Sequence, residues 1–274
     1  MTSSKQEGGC FVRILCVGDV CGSVGCEFAA KVLPSLKREH NIELTVVNGE
    51  NSADGNGITP QSAEHLFSIG ADVITGGNHS LRRREVHHLL DENAFLLRPH
   101  NIASDYGSGY ALVDLGRVRA AVINLSGQIY LDRHSPSNPF EAADALIARA
   151  ERDDARIILV DFHAEATSEK QALGYYLDGR VSAVFGTHTH VRTADATVLS
   201  GGTGYITDLG MTGPAESVLG VKKEIIIDRL KNGGQQKFEL ADGPCMLNGC
   251  IFDVDIASGR TVGVRTVSIS EVKA

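Results

Sequence analysis

Two histidines, His188 and His190, sit in the stretch VFGTHTHVRTAD, separated only by a threonine, in a chain that has 10 histidines. Similar polar clusters recur along the chain, each just after a short apolar run. FVRILCV is followed by Gly18-Asp19, and ELTVVN runs into Gly49-Glu50-Asn51. ADVIT is followed by Gly76-Gly77-Asn78-His79, IILV by Asp161-Phe162-His163, and VSAVF by Gly186-Thr187-His188-Thr189-His190. The shared residue types are carboxylate, amide and imidazole. Such oxygen and nitrogen donors suit iron, manganese or zinc, not a thiolate-held structural ion. Asp19, Glu50, Asn51, Asn78, His163, His188 and His190 are too many for one tetrahedral ion. Two ions sharing one carboxylate would use them all, and a pair of ions about 3.5–4 Å apart is the usual clamp for phosphoester hydrolysis. His79 follows Asn78 and is free to face substrate instead of metal.

The elements that must position these residues alternate. Phe11–Val17, Glu43–Asn48, Ala71–Thr75, Ile157–Asp161 and Val181–Phe185 read as buried strands. Glu27–Glu39, Leu81–Leu90 and Ser168–Leu177 read as helices. Thr59-Pro60 opens a further helix to about Ile69, and Asn138-Pro139 opens one to Arg152. Tyr110–Asp114 and Val118–Asn124 read as a hairpin. From about Ala196 the pattern is short and alternating, with Ile225–Asp228, Lys237–Leu240, Gly249–Asp255 and Val262–Ser268 expected as strands of a second sheet. Alternating strand and helix argue for an α/β fold. In open α/β sheets ligands gather beyond the carboxyl ends of the strands. That is where all five clusters fall.

Composition narrows the class. A net charge of −8 argues against non-specific nucleic-acid binding. No apolar run reaches the roughly 18–20 residues needed to cross a bilayer. The polar start, MTSSKQEGGC, has no secretory pattern, so a cytoplasmic location is expected. Residues 1–10 read as a frayed tail, and 11–274 as a single domain. Cys21/Cys26 and Cys245/Cys250 share a C-x4-C spacing, but reduced free thiols are expected in preference to zinc or disulfides. His40, His65, His87, His88, His100 and His134 read as ordinary surface or packing residues, with His100 on a loop near the site. Gly18, Gly22 and Gly25 lack the G-x-G-x-x-G spacing of a dinucleotide loop. There is neither a P-loop nor a nucleophile elbow.

Taken in order, Gly18-Asp19, NGEN, GNH and GTHTH resemble the motifs of calcineurin-like metallophosphoesterases. NGENSADGNGIT, VDFHAEATSEK, YLDGRVSAVFGTHTHVRTAD and YITDLGMTGP are more narrowly similar to the YmdB-like branch. The resemblance implies a two-sheet α/β sandwich with helices on the outer faces and a dinuclear centre. It implies iron first, with manganese or zinc as alternatives. One ion would take Asp19, Glu50, Asn51 and His190, and the other Glu50, Asn78, His163 and His188, with Glu50 bridging. A bridging hydroxide would attack phosphorus in line, and His79 would protonate the leaving oxygen. The implied substrates are 2′,3′-cyclic nucleotides or related diesters, with RNA ends as a further class.

Two departures stand out. Many superfamily members carry G-D-x-H, where this chain has Cys21, and Asn51 would supply the missing ligand. After G-N-H an aromatic is common, where this chain has Ser80-Leu81-Arg82-Arg83-Arg84. At least two of those arginines read as solvated helix charges. The loops Leu81–Arg84 and Arg98–Gly109 are expected to set specificity. The competing reading is a regulatory protein that senses a nucleotide or binds a partner through the metal site, with little turnover. Oligomeric state is open, and a homo-oligomer is compatible with the sequence.

Overall fold

The computed structural model describes residues 11–131 and 135–271. The stretch read as a frayed tail, Cys10 and His134 lie outside these residues. The strands are β1 (Phe11–Val17), β2 (Asp19–Val20), β3 (Leu44–Asn48), β4 (Val73–Thr75), β5 (Tyr110–Asp114), β6 (Arg119–Ser126) and β7 (Ile157–His163). They continue as β8 (Ala183–Thr187), β9 (Thr197–Val198), β10 (Gly204–Ile206), β11 (Met211–Pro214), β12 (Cys245–Asp255) and β13 (Thr261–Ser270). The α-helices are α1 (Gly22–His40), α2 (Pro60–Ser68), α3 (His87–Glu92), α4 (Pro139–Arg152), α5 (Thr167–Tyr176) and α6 (Lys223–Asn232).

Two sheets result. One runs β2-β11-β12-β1-β3-β4, with β13 also paired to β12, and the second runs β5-β6-β7-β8-β10-β9. Successive residues of a strand point to opposite faces, and each strand divides its apolar residues accordingly. From β1, Val12, Ile14 and Cys16 enter a layer between the sheets, where they join Val122, Leu159, Phe185 and Phe252. Leu15 and Val17 face the other way, into a layer with Phe28 and Leu33 of α1 and Leu66 of α2. Ile123, Val160 and Val184 of the second sheet pack with Leu146 and Ile147 of α4 and Leu173 of α5. The helices therefore cover both outer faces, as the α/β sandwich reading requires.

The parallel strands bring their carboxyl ends level. Val47 pairs with Val17, and Asn48 with Thr75. In the second sheet Ser126, His163 and Thr187 lie side by side. Cross-sheet hydrogen bonds tie the two rims together. Asn48 Nδ2 donates to Asp161 Oδ2 at 3.1 Å, and the Gly76 N–H donates to Asn124 Oδ1 at 2.9 Å. The Gly18 N–H still donates to Asn248 of β12 at 3.0 Å, but the chain then leaves that strand, and the Asp19 N–H passes to the Gly210 carbonyl at 3.1 Å. That divergence turns Asp19 onto the rim.

Several expectations are corrected. The C-terminal strands do not build a separate sheet; β12 and β13 complete the sheet begun by β1, with Cys16 paired to Cys250. Ile225–Asp228 lies in helix α6, closed by Gly233 in the left-handed conformation. Its isoleucine run has high strand propensity, but only Ile225 is buried, so no sheet packing favours a strand. Lys237–Leu240 forms no strand and contributes one isolated bridge, Leu240 to Val221. The Leu81–Leu90 helix is a short 3-10 turn, Arg84–Val86, leading into α3. Arg83 stays extended because its guanidinium reaches across to the Asp54 and Asn56 carbonyls. The Thr59 cap is present, with reciprocal bonds between Thr59 and Ser62.

Candidate metal centre

The rim of the two sheets brings all seven expected ligands together, in two groups that meet at Glu50. In the first, Asp19 Oδ1 lies 3.7 Å from His190 Nε2. Asn51 Nδ2 is 3.4 Å from the same nitrogen and 2.9 Å from Glu50 Oε1. In the second, His163 Nε2 lies 3.4 Å from Glu50 Oε2, 2.9 Å from Asn78 Oδ1 and 3.0 Å from His188 Nδ1. His79 occupies the edge. Its backbone N–H donates to Glu50 Oε2 at 3.0 Å, and its Nδ1 lies 3.1 Å from Oε1.

The far nitrogen of each histidine fixes which nitrogen faces the centre. Asp161 Oδ1 accepts the Thr187 hydroxyl at 2.8 Å, so Thr187 can only accept from His163 Nδ1, 2.9 Å away. Burial pushes the Asp161 carboxyl up and hydrogen bonds from Thr75, Thr187 and Asn48 hold it to about 6, so it is ionised at neutral pH. His188 Nε2 sits 3.0 Å from Glu165 Oε2, and His190 Nδ1 is 3.1 Å from the Leu219 carbonyl. These oxygens take the ring protons and leave His163 Nε2 and His188 Nδ1 as lone pairs.

The donor set fits cations on three grounds. Lone pairs of His163, His188, Glu50 and Asn78 converge with no proton between them. One ligand atom each from Glu50, His163 and His188 lie within 4.8 Å of one another. Asp19 Oδ1 and Asn51 Oδ1 are buried with no hydrogen-bond partner, an arrangement that is costly unless a bound group satisfies them.

Electrostatics point the same way. Burial raises the Asp19 carboxyl well above its usual range, and the carboxylates of Asp208 and Glu50 add to this. Burial opposes the Glu50 charge too, but the hydrogen bonds and the imidazole of His79 hold its carboxyl below the usual range. Burial drives His163 well below its usual value and lowers His188, so both rings are neutral, the form that binds metal. Burial also works against a charge on His190, but the Cys21 sulfur and the Leu219 carbonyl outweigh it and lift that ring to about 9.

Gly77 shows how closely the parts are fitted. A Cβ there would lie 2.1 Å from Glu50 Oε2 and 2.3 Å from His163 Nε2. Only glycine lets this backbone pass so near the ligands. The turn carrying His188 and His190 is also demanding. Had both residues been extended, their side chains would share one side of a strand. Instead φ is 99° at His188 and 63° at His190. Non-glycine residues rarely adopt such values. The two rings reach separate groups because the backbone coils left-handed between them.

The chain matches the family model described as YmdB-like protein over residues 15–267. The chain belongs to the YmdB-like family. A curated relative from Bacillus subtilis (strain 168), named 2′,3′-cyclic-nucleotide 2′-phosphodiesterase, is 43% identical over 261 residues, covering 95% of this chain and 98% of that protein. The crystal structure of a hypothetical protein from Thermus thermophilus is 37% identical, with a TM-score of 0.88 over 95% of this chain and 100% of that one. A phosphatase structure from Mycoplasma pneumoniae is 32% identical, with a TM-score of 0.87 over 95% of this chain and 94% of that one. A 5′-nucleotidase precursor from Thermus thermophilus, 13% identical with a TM-score of 0.59, shares the fold and spans 94% of this chain and 54% of its own. The YmdB-like family thus places this sandwich among metallophosphoesterases, as the motifs implied.

Other expected residues fall as follows. Cys21 is buried, with Sγ 3.6 Å from His190 Nδ1. The five described cysteines are unpaired. Cys26 and Cys245 face the helices while Cys250 lies between the sheets, so the two C-x4-C pairs do not converge. Arg82 and Arg84 are exposed, and Arg83 ties down the loop carrying Asp54 and Asn56. The Arg98–Gly109 loop wraps the Arg98 guanidinium, which donates to the carbonyls of Pro99, Ile102, Ser104, Tyr106 and Gly107. His100 is exposed at that loop. His87 stacks on Tyr106, and His65 Nε2 lies 3.4 Å from the Cys26 carbonyl, both outside the centre. Among the described residues no helix is long and apolar enough to cross a membrane.

The expected set omits Thr187 and Glu165, which contact His163 and His188, and Asp161 and Asp208, which act on that set only through Thr187 and through the turn at Thr189. Asp161 had a visible signal: a carboxylate inside the apolar run IILVDFH, all seven residues of which are buried.

Proposed function

We propose that this chain is a phosphodiesterase that works with two bound metal ions, with 2′,3′-cyclic nucleotides or related nucleotide diesters as its substrate class. The observation carrying this reading is the convergence of unprotonated acceptors at Glu50, Asn78, His163 and His188, beside the orphaned oxygens of Asp19 and Asn51. Asp19, Glu50, Asn51 and His190 would hold one ion. Glu50, Asn78, His163 and His188 would hold the other. Iron, manganese and zinc all suit this nitrogen and oxygen set. Bound there, the metal would supply charge stabilisation of the phosphoryl oxygens and a water acidified toward neutrality.

The remaining work belongs to side chains. His79 has its Nδ1 against Glu50 and its ring partly exposed. That leaves Nε2 directed away from Glu50, where a protonated ring can give its proton to the leaving oxygen. Glu165 and Thr187 keep His188 and His163 in the ligating tautomer. The relative named as a 2′,3′-cyclic-nucleotide 2′-phosphodiesterase supports the substrate class. The test is hydrolysis of 2′,3′-cyclic AMP and of bis(p-nitrophenyl) phosphate by protein loaded with Mn²⁺ or Fe²⁺. Turnover stopped by a chelator is expected. Metal-loaded protein inert toward both diesters would sink the reading.

A further inference from the structure

Lys170 of α5 is 2% exposed, and its Nζ lies 2.6 Å from Oδ2 of Asp208, which is 1% exposed. A buried ion pair is costly to desolvate, so its retention calls for a reason. None of the ligand or proton-transfer roles uses it.

The surroundings of Asp208 supply one. Oδ2 also accepts the Thr189 N–H at 3.1 Å and the Thr189 hydroxyl at 2.7 Å. Oδ1 accepts the Gly210 N–H at 2.8 Å. The backbone of Asp208 grips the same loop further on: the Thr193 N–H donates to its carbonyl at 3.1 Å, and its own N–H donates to Thr193 Oγ1 at 2.9 Å. Thr189 stands between His188 and His190, whose left-handed conformations are strained. Gly210 in turn receives the Asp19 N–H on its carbonyl at 3.1 Å, and the His188 N–H donates to Asp19 Oδ2 at 3.2 Å. One carboxylate therefore holds the histidine turn with one oxygen and the backbone beside Asp19 with the other.

We infer that the Lys170–Asp208 pair is a positioning device: Asp208 sets the spacing of His188 and His190 against Asp19, and Lys170 anchors the Asp208 carboxylate so that its two oxygens stay turned to the two backbone segments they hold. The inference rests on the proposed metal centre. A plain structural ion pair would stabilise the fold and leave metal affinity alone.

The two roles separate in calorimetric Mn²⁺ titrations run beside unfolding temperatures of the metal-free proteins. Asp208→Asn offers one accepting oxygen where two are needed, so Mn²⁺ affinity should fall by about tenfold or more, the scale of other outer-shell losses. In Lys170→Met/Asp208→Asn no buried charge is left unpaired. Its unfolding temperature should recover relative to Asp208→Asn, while its Mn²⁺ affinity should not. Thr189→Val leaves the ion pair intact and removes one hydrogen bond to the buried carboxylate; it should lower the unfolding temperature of the metal-free protein modestly and, beyond that, lose Mn²⁺ affinity several-fold. It carries the test if the Asp208 variants fail to fold. Wild-type Mn²⁺ affinity in Thr189→Val or in the double variant would overturn the inference. Wild-type protein that takes up no metal would overturn the proposed function, and this inference with it.

Discussion

His163 Nε2 and His188 Nδ1 face each other at 3.0 Å, while their other ring nitrogens lie 2.9 Å from Thr187 Oγ1 and 3.0 Å from Glu165 Oε2. Those oxygens take the ring protons. Two lone pairs at this distance repel unless a cation lies between them. Mn²⁺ should therefore stabilise the fold. At a hundredfold excess over Kd the gain is about 2.7 kcal/mol. For a chain of this size that is roughly 5–10 °C in unfolding temperature. Differential scanning fluorimetry with and without Mn²⁺ checks this, and an unchanged midpoint would count against the centre.

Gly77→Ala should remove metal binding while leaving the fold. The new methyl group would fall among Glu50 Oε2, His163 Nε2 and His163 Cε1, the last 2.4 Å away. Those rigid groups cannot retreat without leaving the ligand geometry. Elemental analysis should show metal lost from a protein whose circular dichroism is unchanged. Retained metal would mean that the backbone here yields more than its packing allows.

Asp161→Asn should damage the centre by moving a proton. The amide can donate to Thr187, whose hydroxyl is then free to donate to His163 Nδ1. The ring proton would shift to Nε2, the nitrogen that faces the ligands. Metal affinity should drop about 10–100-fold. The metal-free protein should not lose stability, because burial already pushes the carboxyl up to about 6 and a neutral amide relieves that cost. Its ionisation costs stability as the pH climbs from the ordinary carboxylate range to about 6, so the gain from Asn should appear above that pH. A variant binding Mn²⁺ like wild type would reject the proton shift.

His79→Ala and Asp19→Ala should fail differently. Loss of a general acid costs about 10²–10⁴ in rate, so His79→Ala should keep its metal and lose kcat. Asp19→Ala should lose metal from the group containing Asn51 and His190. A His79→Ala protein that comes out metal-free would make His79 chiefly a support for Glu50.

The sequence made the strand ends legible because a glycine, a carboxylate or an imidazole closing an apolar run is a local pattern. Asp19, Glu50, Asn78 and His163 were visible in that way. What connects them was not. Thr187 and Asp161 act through bonds between neighbouring strands, and Lys170 reads as an ordinary helical lysine until α5 packs beside Asp208. The left-handed turn at His188 and His190 was hidden for the same reason, since Asp208 and Asp19 hold it from distant segments. Helix α6 was misread because strand propensity depends on packing that Ile226 and Ile227 never find.

The pairing of β12 with β1, and of Met211 on β11 with Asp19, also governs when the centre can exist. During synthesis β1, β3 and β4 emerge early, but the neighbour that turns Asp19 onto the rim is translated much later. A nascent chain halted before residue 211 lacks the segment that seats Asp19, although it already contains all seven of the proposed ligands. Contacts this distant in sequence form slowly. Metal loading would then follow translation of the C-terminal strands, leaving the newborn protein inert until its first sheet closes.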